Sequence, residues 1–173
     1  MTKRFAAVLA ALALSGCPAL RAPDDRARSA LAELSEEGFT VPIPGSPEPL
    51  RVPPGKLAFT GIHAEEGEAG TLLVFGQLSL DGWVGDRTVS YVGTEALRVV
   101  CRRSCEIEGS AAPRLAGVLA ALVPGAAERG AGGWFIRVDR ELARVGEATR
   151  HGTRERRDLV LEGDRWVAKQ DAP

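Results

Sequence analysis

From Lys56 onward, apolar residues fall in short runs separated by glycine, aspartate and proline, the pattern of strands rather than of long helices. Leu57 to His63 and Thr71 to Leu80 predict the first two strands. In the second, Leu72, Leu73, Val74 and Phe75 are consecutive, as in a central strand covered on both faces. Asp81-Gly82 predicts a two-residue hairpin turn leading into Trp83. Thr88 to Val92 and Ala96 to Arg102, with Gly93 in the turn between them, complete an antiparallel meander. Further on, Trp134 to Val138 and Arg154 to Leu161 predict strands, His151-Gly152 a turn, and Gly163-Asp164 a second hairpin turn before Trp166 and Val167. Arg140 to Ala148 admits helix or strand, and the flanking arginines and Gly146 favour a continuing strand.

Two segments carry helical spacing instead. Asp24 or Asp25 is placed to cap a helix running to about Glu37, with Ala27, Ala30, Leu31 and Leu34 on one stripe and Gly38 at its end. Pro113 to Leu122 presents a broader stripe of Leu115, Val118, Leu119 and Leu122. Ser110 lies near its start and Pro124-Gly125 stops it. Between the first helix and the first strand, residues 41–54 contain six prolines (Pro42, Pro44, Pro47, Pro49, Pro53 and Pro54) and predict a loop or stiff spacer, with Phe39, Val41 and Ile43 lying against the sheet. The glycine-rich run Gly125 to Gly133 predicts a linker or mobile loop between two halves of the body. The expected fold class is therefore α+β, antiparallel β-meanders packed with one or two short helices.

The amino end is a separate element. Lys3 and Arg4 are followed by an apolar run from Phe5 to Leu14, then by Ser15, Gly16 and Cys17, the layout of an export signal. A bilayer span needs about 20 apolar residues, and this run is shorter and ends at Pro18. Leu14-Ser15-Gly16-Cys17 resembles the lipobox of bacterial lipoprotein precursors. The resemblance implies that the Cys17 thiol receives a diacylglyceryl group, that residues 1–16 are removed as a signal peptide, and that the new amine takes a further acyl chain such as palmitate. It also implies that residues 17–24 form a lipidated tether, with residues 25–173 as a single globular domain. The membrane is then a partner through the lipid anchor. Pro18, rather than aspartate, after the cysteine implies the outer membrane, with the body facing the periplasm. Several acyl chains are needed for lasting attachment, because each buried methylene contributes about 0.8 kcal/mol and one chain alone binds marginally.

Composition adds little about activity. The chain has 22 basic and 23 acidic residues, and loss of Lys3 and Arg4 leaves an acidic protein with no feature that asks for nucleic acid. Cys101 and Cys105 form an even pair once Cys17 is lipidated, and in an oxidising compartment they are expected to close a small disulfide loop worth about 2 kcal/mol. Free thiols, a redox pair and half a metal site are the rival readings, although three residues separate the pair rather than the two of a thioredoxin-type motif.

No hydrolase elbow and no phosphate-binding glycine loop occurs. His63 and His151 have no second histidine at metal spacing. Glu65, Glu66 and Glu68 are read as a solvated turn in preference to a calcium site. Arg150, Arg154, Arg156 and Arg157 form a basic cluster, read as protection of an edge strand or as a contact for anionic lipid headgroups or polysaccharide phosphates. Trp83, Trp134 and Trp166 are read as core residues or as a sugar-stacking platform. The closing pattern Asp158 to Val167 looks like the last hairpin of NTF2-like and cystatin-like domains. Those domains put their main helix first, whereas the stronger helix here sits mid-chain, so no residue or activity is carried across.

No catalytic, cofactor or metal residue is assigned. The expectation is a binding or scaffolding module whose partner is an envelope protein or polysaccharide. The alternative, a small enzyme or ligand pocket on a curved antiparallel sheet, requires His63 or clustered acids inside a concave cavity.

Overall fold

The computed structural model describes residues 22–169 apart from 104, 108–112, 150, 151 and 153, with Arg154 described by its backbone alone. Leu14 to Cys17, Ser110, Arg150 and His151 lie outside the described residues. Helix α1 (Pro23–Glu37) opens on proline, which loses nothing at a position whose N–H has no helical partner. Ala22, not an aspartate, is the N-cap residue. Asp24 and Asp25 lie inside the first turn, where their charge favours the positive end of the helix dipole. The expected tether is thus shortened, since its last two residues are helical. Ala27, Ala30, Leu31 and Leu34 are buried, and Gly38 ends the helix at φ 77°.

The predicted proline loop contains more structure than expected. Its borders are strands β1 (Phe39–Val41) and β2 (Leu50–Val52), which pair antiparallel. Pro42, Pro44, Pro47 and Pro49 fill the connection between them, and Val41 and Ile43 are buried as expected. The chain continues through β3 (Leu57–Glu66), a single 3-10 turn (Glu68–Gly70), β4 (Thr71–Val84), β5 (Arg87–Cys101) and β6 (Cys105–Ile107). Helix α2 (Pro113–Leu122) follows, with the predicted bounds, and then β7 (Ala131–Asp139), β8 (Leu142–Thr149), β9 (Arg154–Glu162) and β10 (Arg165–Ala168).

All ten strands belong to one sheet in the order β1-β2-β4-β5-β7-β8-β9-β10, with β3 against the rest of β4 and β6 against the far end of β5. The sheet is mixed, which corrects the expectation of purely antiparallel meanders. Two antiparallel runs, β3-β4-β5 and β7-β8-β9-β10, are joined by a parallel pairing of β5 with β7, Thr88 to Gly93 against Gly133 to Val138. The physical reason lies in the connection: a strand that returns beside its predecessor after a helix needs a long crossover and runs parallel to it.

Two turns also move. β4 passes straight through Asp81-Gly82, and the chain reverses at Gly85-Asp86; β5 passes straight through Gly93. At Gly82 a Cβ would come within 2.4 Å of the Arg51 carbonyl oxygen, so this glycine admits the close approach of β2 instead of making a turn. Arg140 to Ala148 is a turn followed by strand, as preferred.

Both helices pack on the face of the sheet formed by Leu72, Val74, Leu78, Leu80 and Val84 of β4 and Val89, Tyr91, Leu97 and Val99 of β5. On α2, Leu115, Val118, Leu119 and Leu122 are fully buried. Pro44 from one end of the strand order and Asp164, Arg165 and Trp166 from the other line a shared crevice over Gly117, Ala120 and Ala121 of α2. The sheet therefore curls around this helix.

The segment expected to be a loose linker is instead an anchor. Arg129 donates from Nη2 to the Leu122 carbonyl (2.6 Å) and from Nη1 to the Pro124 carbonyl (3.0 Å), satisfying the C-terminal end of α2. Its Nε donates to Oε1 of Glu147 at 3.2 Å, and Glu147 is buried in β8, where its Oε2 also accepts from Trp134 Nε1 at 2.9 Å. Removing one partner of a buried ion pair leaves an uncompensated charge. Arg129→Ala is expected to cost about 3 kcal/mol in urea unfolding, whereas Arg165→Ala, at an exposed position, is expected to change stability by less than about 0.5 kcal/mol.

Candidate binding surface

Strand alternation that sends one set of side chains to the helices sends the other set outward. In β4 the outward set is Leu73, Phe75, Gln77, Ser79, Asp81 and Trp83, and in β5 it runs from Thr88 through Ser90, Val92 and Thr94 to Arg98. In β7 it is Phe135, Arg137 and Asp139. The pairing registers align these residues in rows across the sheet. One row reads Asp81, Ser90, Phe135, Gly146, Arg156, and the next reads Ser79, Val92, Arg137, Arg144, Asp158. No helix of the described residues covers this face.

Phe135 is 49% exposed, Trp83 42% and Val92 36%, the large apolar side chains that remain in solvent. Between the first two rows lies a shallow depression of about 300 Å³, walled by Ser79, Asp81, Ser90, Val92, Phe135 and Arg137. One wall is polar, with Ser90 Oγ donating to Asp81 Oδ1 at 2.6 Å. Further along the same face, on β9, Arg156 binds Asp158 through Nε (3.2 Å) and Nη2 (3.1 Å). The surface thus combines aromatic faces, hydroxyls and charges of both signs.

The other polar cluster is buried. Tyr91 and Glu95 share the inward face of β5, and the Tyr91 ring lies along the strand over Gly93, where a Cβ would sit 2.4 Å from the hydroxyl. Across that gap Tyr91 Oη donates to Glu95 Oε1 at 2.6 Å, and the same oxygen accepts from the Leu115 N–H at 2.7 Å, in the first turn of α2. Oε2 has no hydrogen-bond partner among the described residues. Burial raises the Glu95 carboxyl above its ordinary range; the donated hydrogen bonds and the Arg114 charge oppose this without cancelling it. Burial, and then the neighbouring Glu95, hold the Tyr91 proton far above the usual tyrosine range. The pair binds helix to sheet.

The residues singled out in the sequence are scattered by the fold. Cys101 and Cys105 lie at disulfide distance across the β5–β6 turn, with Cα atoms 4.1 Å apart, and the Cys105 N–H donates to Glu33 Oε1 of α1 at 2.8 Å. The His63 side chain is 67% exposed, with Nδ1 3.9 Å from Asp24 Oδ1 and Nε2 3.6 Å from Glu65 Oε1, on an open flank of β3. His63 thus points to solvent. Glu66 pairs with Arg26 of α1.

Trp134 and Trp166 are buried while Trp83 is exposed, so the three tryptophans form no common platform. β10 pairs only with Leu159 to Glu162 of β9, so the stretch carrying Arg154, Arg156 and Arg157 has β8 on one side and no strand of the described residues on the other, as the edge-protection reading expects; Arg156 faces the open side and Arg157 the opposite one. Among the described residues, no group of three or more histidine, cysteine or acidic side chains is arranged to hold a metal ion, and no helix is long and apolar enough to cross a membrane. Glu95, Arg129 and Glu147 were missed by sequence reasoning, since a charge inside an apolar strand carries no sign of its partner. Phe135 and Arg137 were within reach, because they alternate with Trp134, Ile136 and Val138.

No family model, no curated protein and no solved structure matches this chain.

Because the folded-state carboxyl of Glu95 is raised, the native protein holds this proton more tightly than the unfolded chain. Stability contributed by the protonated group is full below the ordinary value of 4.5 and is lost as pH rises through the higher folded value. Glu95→Gln is expected to remove that loss: the urea midpoint of the variant relative to wild type should rise between pH 4 and pH 8. A constant difference would assign the pH dependence elsewhere.

Proposed function

We propose that the chain is a lipid-anchored envelope protein, held through Cys17 in the outer membrane, whose body is a binding or scaffolding module facing the periplasm. The placement is supported by the signal-like amino end and Leu14-Ser15-Gly16-Cys17. The binding role is carried by one observation, the uncovered sheet face on which Trp83, Val92 and Phe135 remain in solvent among fixed polar groups. A face of this composition on a monomer marks a site of interaction.

The stretch from Cys17 to Pro23 spans at most about 20 Å when extended, so the anchor keeps the body close to the lipid surface and within reach of envelope proteins and polysaccharides. The small loop closed by Cys101 and Cys105 suits an oxidising compartment.

Mass spectrometry of the chain isolated from fractionated membranes is expected to show a mature amino terminus at Cys17 bearing diacylglycerol and an amide-linked acyl chain. A bare thiol at Cys17, or a terminus elsewhere, overturns the placement. For the binding role, crosslinking in intact envelopes is expected to recover partners above the level of an unrelated lipoprotein, and Phe135→Ser is expected to reduce that recovery severalfold. Recovery no higher than the unrelated lipoprotein overturns it.

A further inference from the structure

Arg137 and Arg144 stand directly opposite each other across the β7–β8 pairing, both exposed on the open face. Like charges in this relation destabilise a sheet. No carboxylate of the described residues lies within ion-pair distance of either one. Asp158, which faces Arg144 from β9, is already gripped by both arms of Arg156. Two arginines therefore stand opposed on neighbouring strands with no ion pair among the described residues, a placement from which an anion can bridge both guanidinium groups through bidentate contacts.

What flanks the pair narrows the anion. Phe135, two residues from Arg137 on the same face and so about 7 Å away along the strand, presents half of its surface to solvent beside the depression that Arg137 also walls. An aromatic face next to a cationic fork fits a pyranose ring bearing a carboxylate or phosphate: the apolar C–H face of the sugar packs on the ring while the acid reaches the arginines. Asp81, Asp139 and Asp158 share this face. As acceptors they suit the hydroxyls that a sugar ring carries beside its acid group.

We propose that Arg137 and Arg144, with Phe135 beside them, form a binding site for an acidic polysaccharide, the arginine pair taking the acid group of one sugar and the aromatic ring stacking on it. This names the ligand class of the binding face and rests on the binding-module reading above.

The test uses the full chain in phosphatidylcholine nanodiscs, read by tryptophan emission, since Trp83 is exposed on this face while Trp134 and Trp166 are buried. Tetragalacturonate is expected to shift the emission saturably and maltotetraose to leave it unchanged. Arg137→Ala and Arg144→Ala should each weaken binding by about tenfold or more. Arg137→Glu should abolish binding while raising the thermal midpoint by about 1–3 °C, because it replaces a repulsive pair by an attractive one and its neighbour on the other side, Val92, is uncharged; this gain separates loss of a site from loss of fold.

The proposal is overturned if tetragalacturonate does not bind, if the neutral sugar binds equally, or if the arginine variants bind as wild type does. It is also overturned if the emission responds to phosphatidylglycerol added to the disc but not to saccharide. None of these results alters the envelope crosslinking outcome, which tests the binding-module reading separately.

Discussion

The structure depends on how one short, apolar helix is held. α2 has ten residues and four fully buried large side chains, so burial supplies its attraction to the sheet but little direction. Direction comes from its ends. Glu95 of β5 receives the Leu115 N–H at the start, and Arg129 covers the Leu122 and Pro124 carbonyls at the finish. An acceptor at the N-terminus and a cation at the C-terminus match the N–H and C=O groups that a helix leaves unpaired at its ends. Both contacts reach into the sheet: Glu95 through Tyr91, Arg129 through Glu147 and thence Trp134. Buried polar groups are costly unless satisfied, so the network tolerates few registers of helix against strand.

The same pattern explains the division of labour between the two faces of the sheet. β4 and β5 pair from Thr71 against Val100 to Val84 against Arg87, and their strict alternation delivers one row of side chains to the helices and one to solvent. α1 closes the far end of this long hairpin. It takes the Ala64 N–H on Asp24 Oδ1, gives Ser35 Oγ to the Leu57 carbonyl, and receives the Cys105 N–H on Glu33. With both helices committed to the inner face, the outer one is left free to carry Phe135, Arg137 and Arg144 on a rigid support.

Much of the scaffold was legible in the sequence where local chemistry decides the outcome. Pro113 and Pro124-Gly125 bracket α2, the 3.6-residue stripe identifies α1, and Gly163-Asp164 makes the hairpin it predicts. Reading failed where a glycine serves its neighbour rather than its own backbone. Gly82 follows aspartate and so reads as a turn residue, as does Gly93 between two apolar runs; in the fold one makes room for β2 and the other for the Tyr91 ring. The consecutive apolar residues Leu72 to Phe75 suggested a strand covered on both sides, yet Leu73 and Phe75 are only half-buried on the open face. The parallel pairing was missed because Gly125 to Gly133 resembled a separator, although a strand, helix and strand in succession already favour a crossover. Of the candidate surface, Phe135 and Arg137 follow from period two, while the opposition of Arg137 to Arg144 depends on register, which no single strand records.

The parallel seam between β5 and β7 also sets the tempo of assembly. Hairpins such as β4–β5, β7–β8 and β9–β10 close from neighbouring residues and form early, but β7 meets β5 only after the chain has travelled through β6, α2 and the Arg129 anchor. Contacts between distant parts of a chain carry a loop-closure cost that local ones escape. Two preformed meanders must therefore find one another across a helix that has yet to seat, and until they do, the edges that become the seam are open to other chains. A nascent molecule of this kind is most open to mispairing at that moment, before its middle is joined.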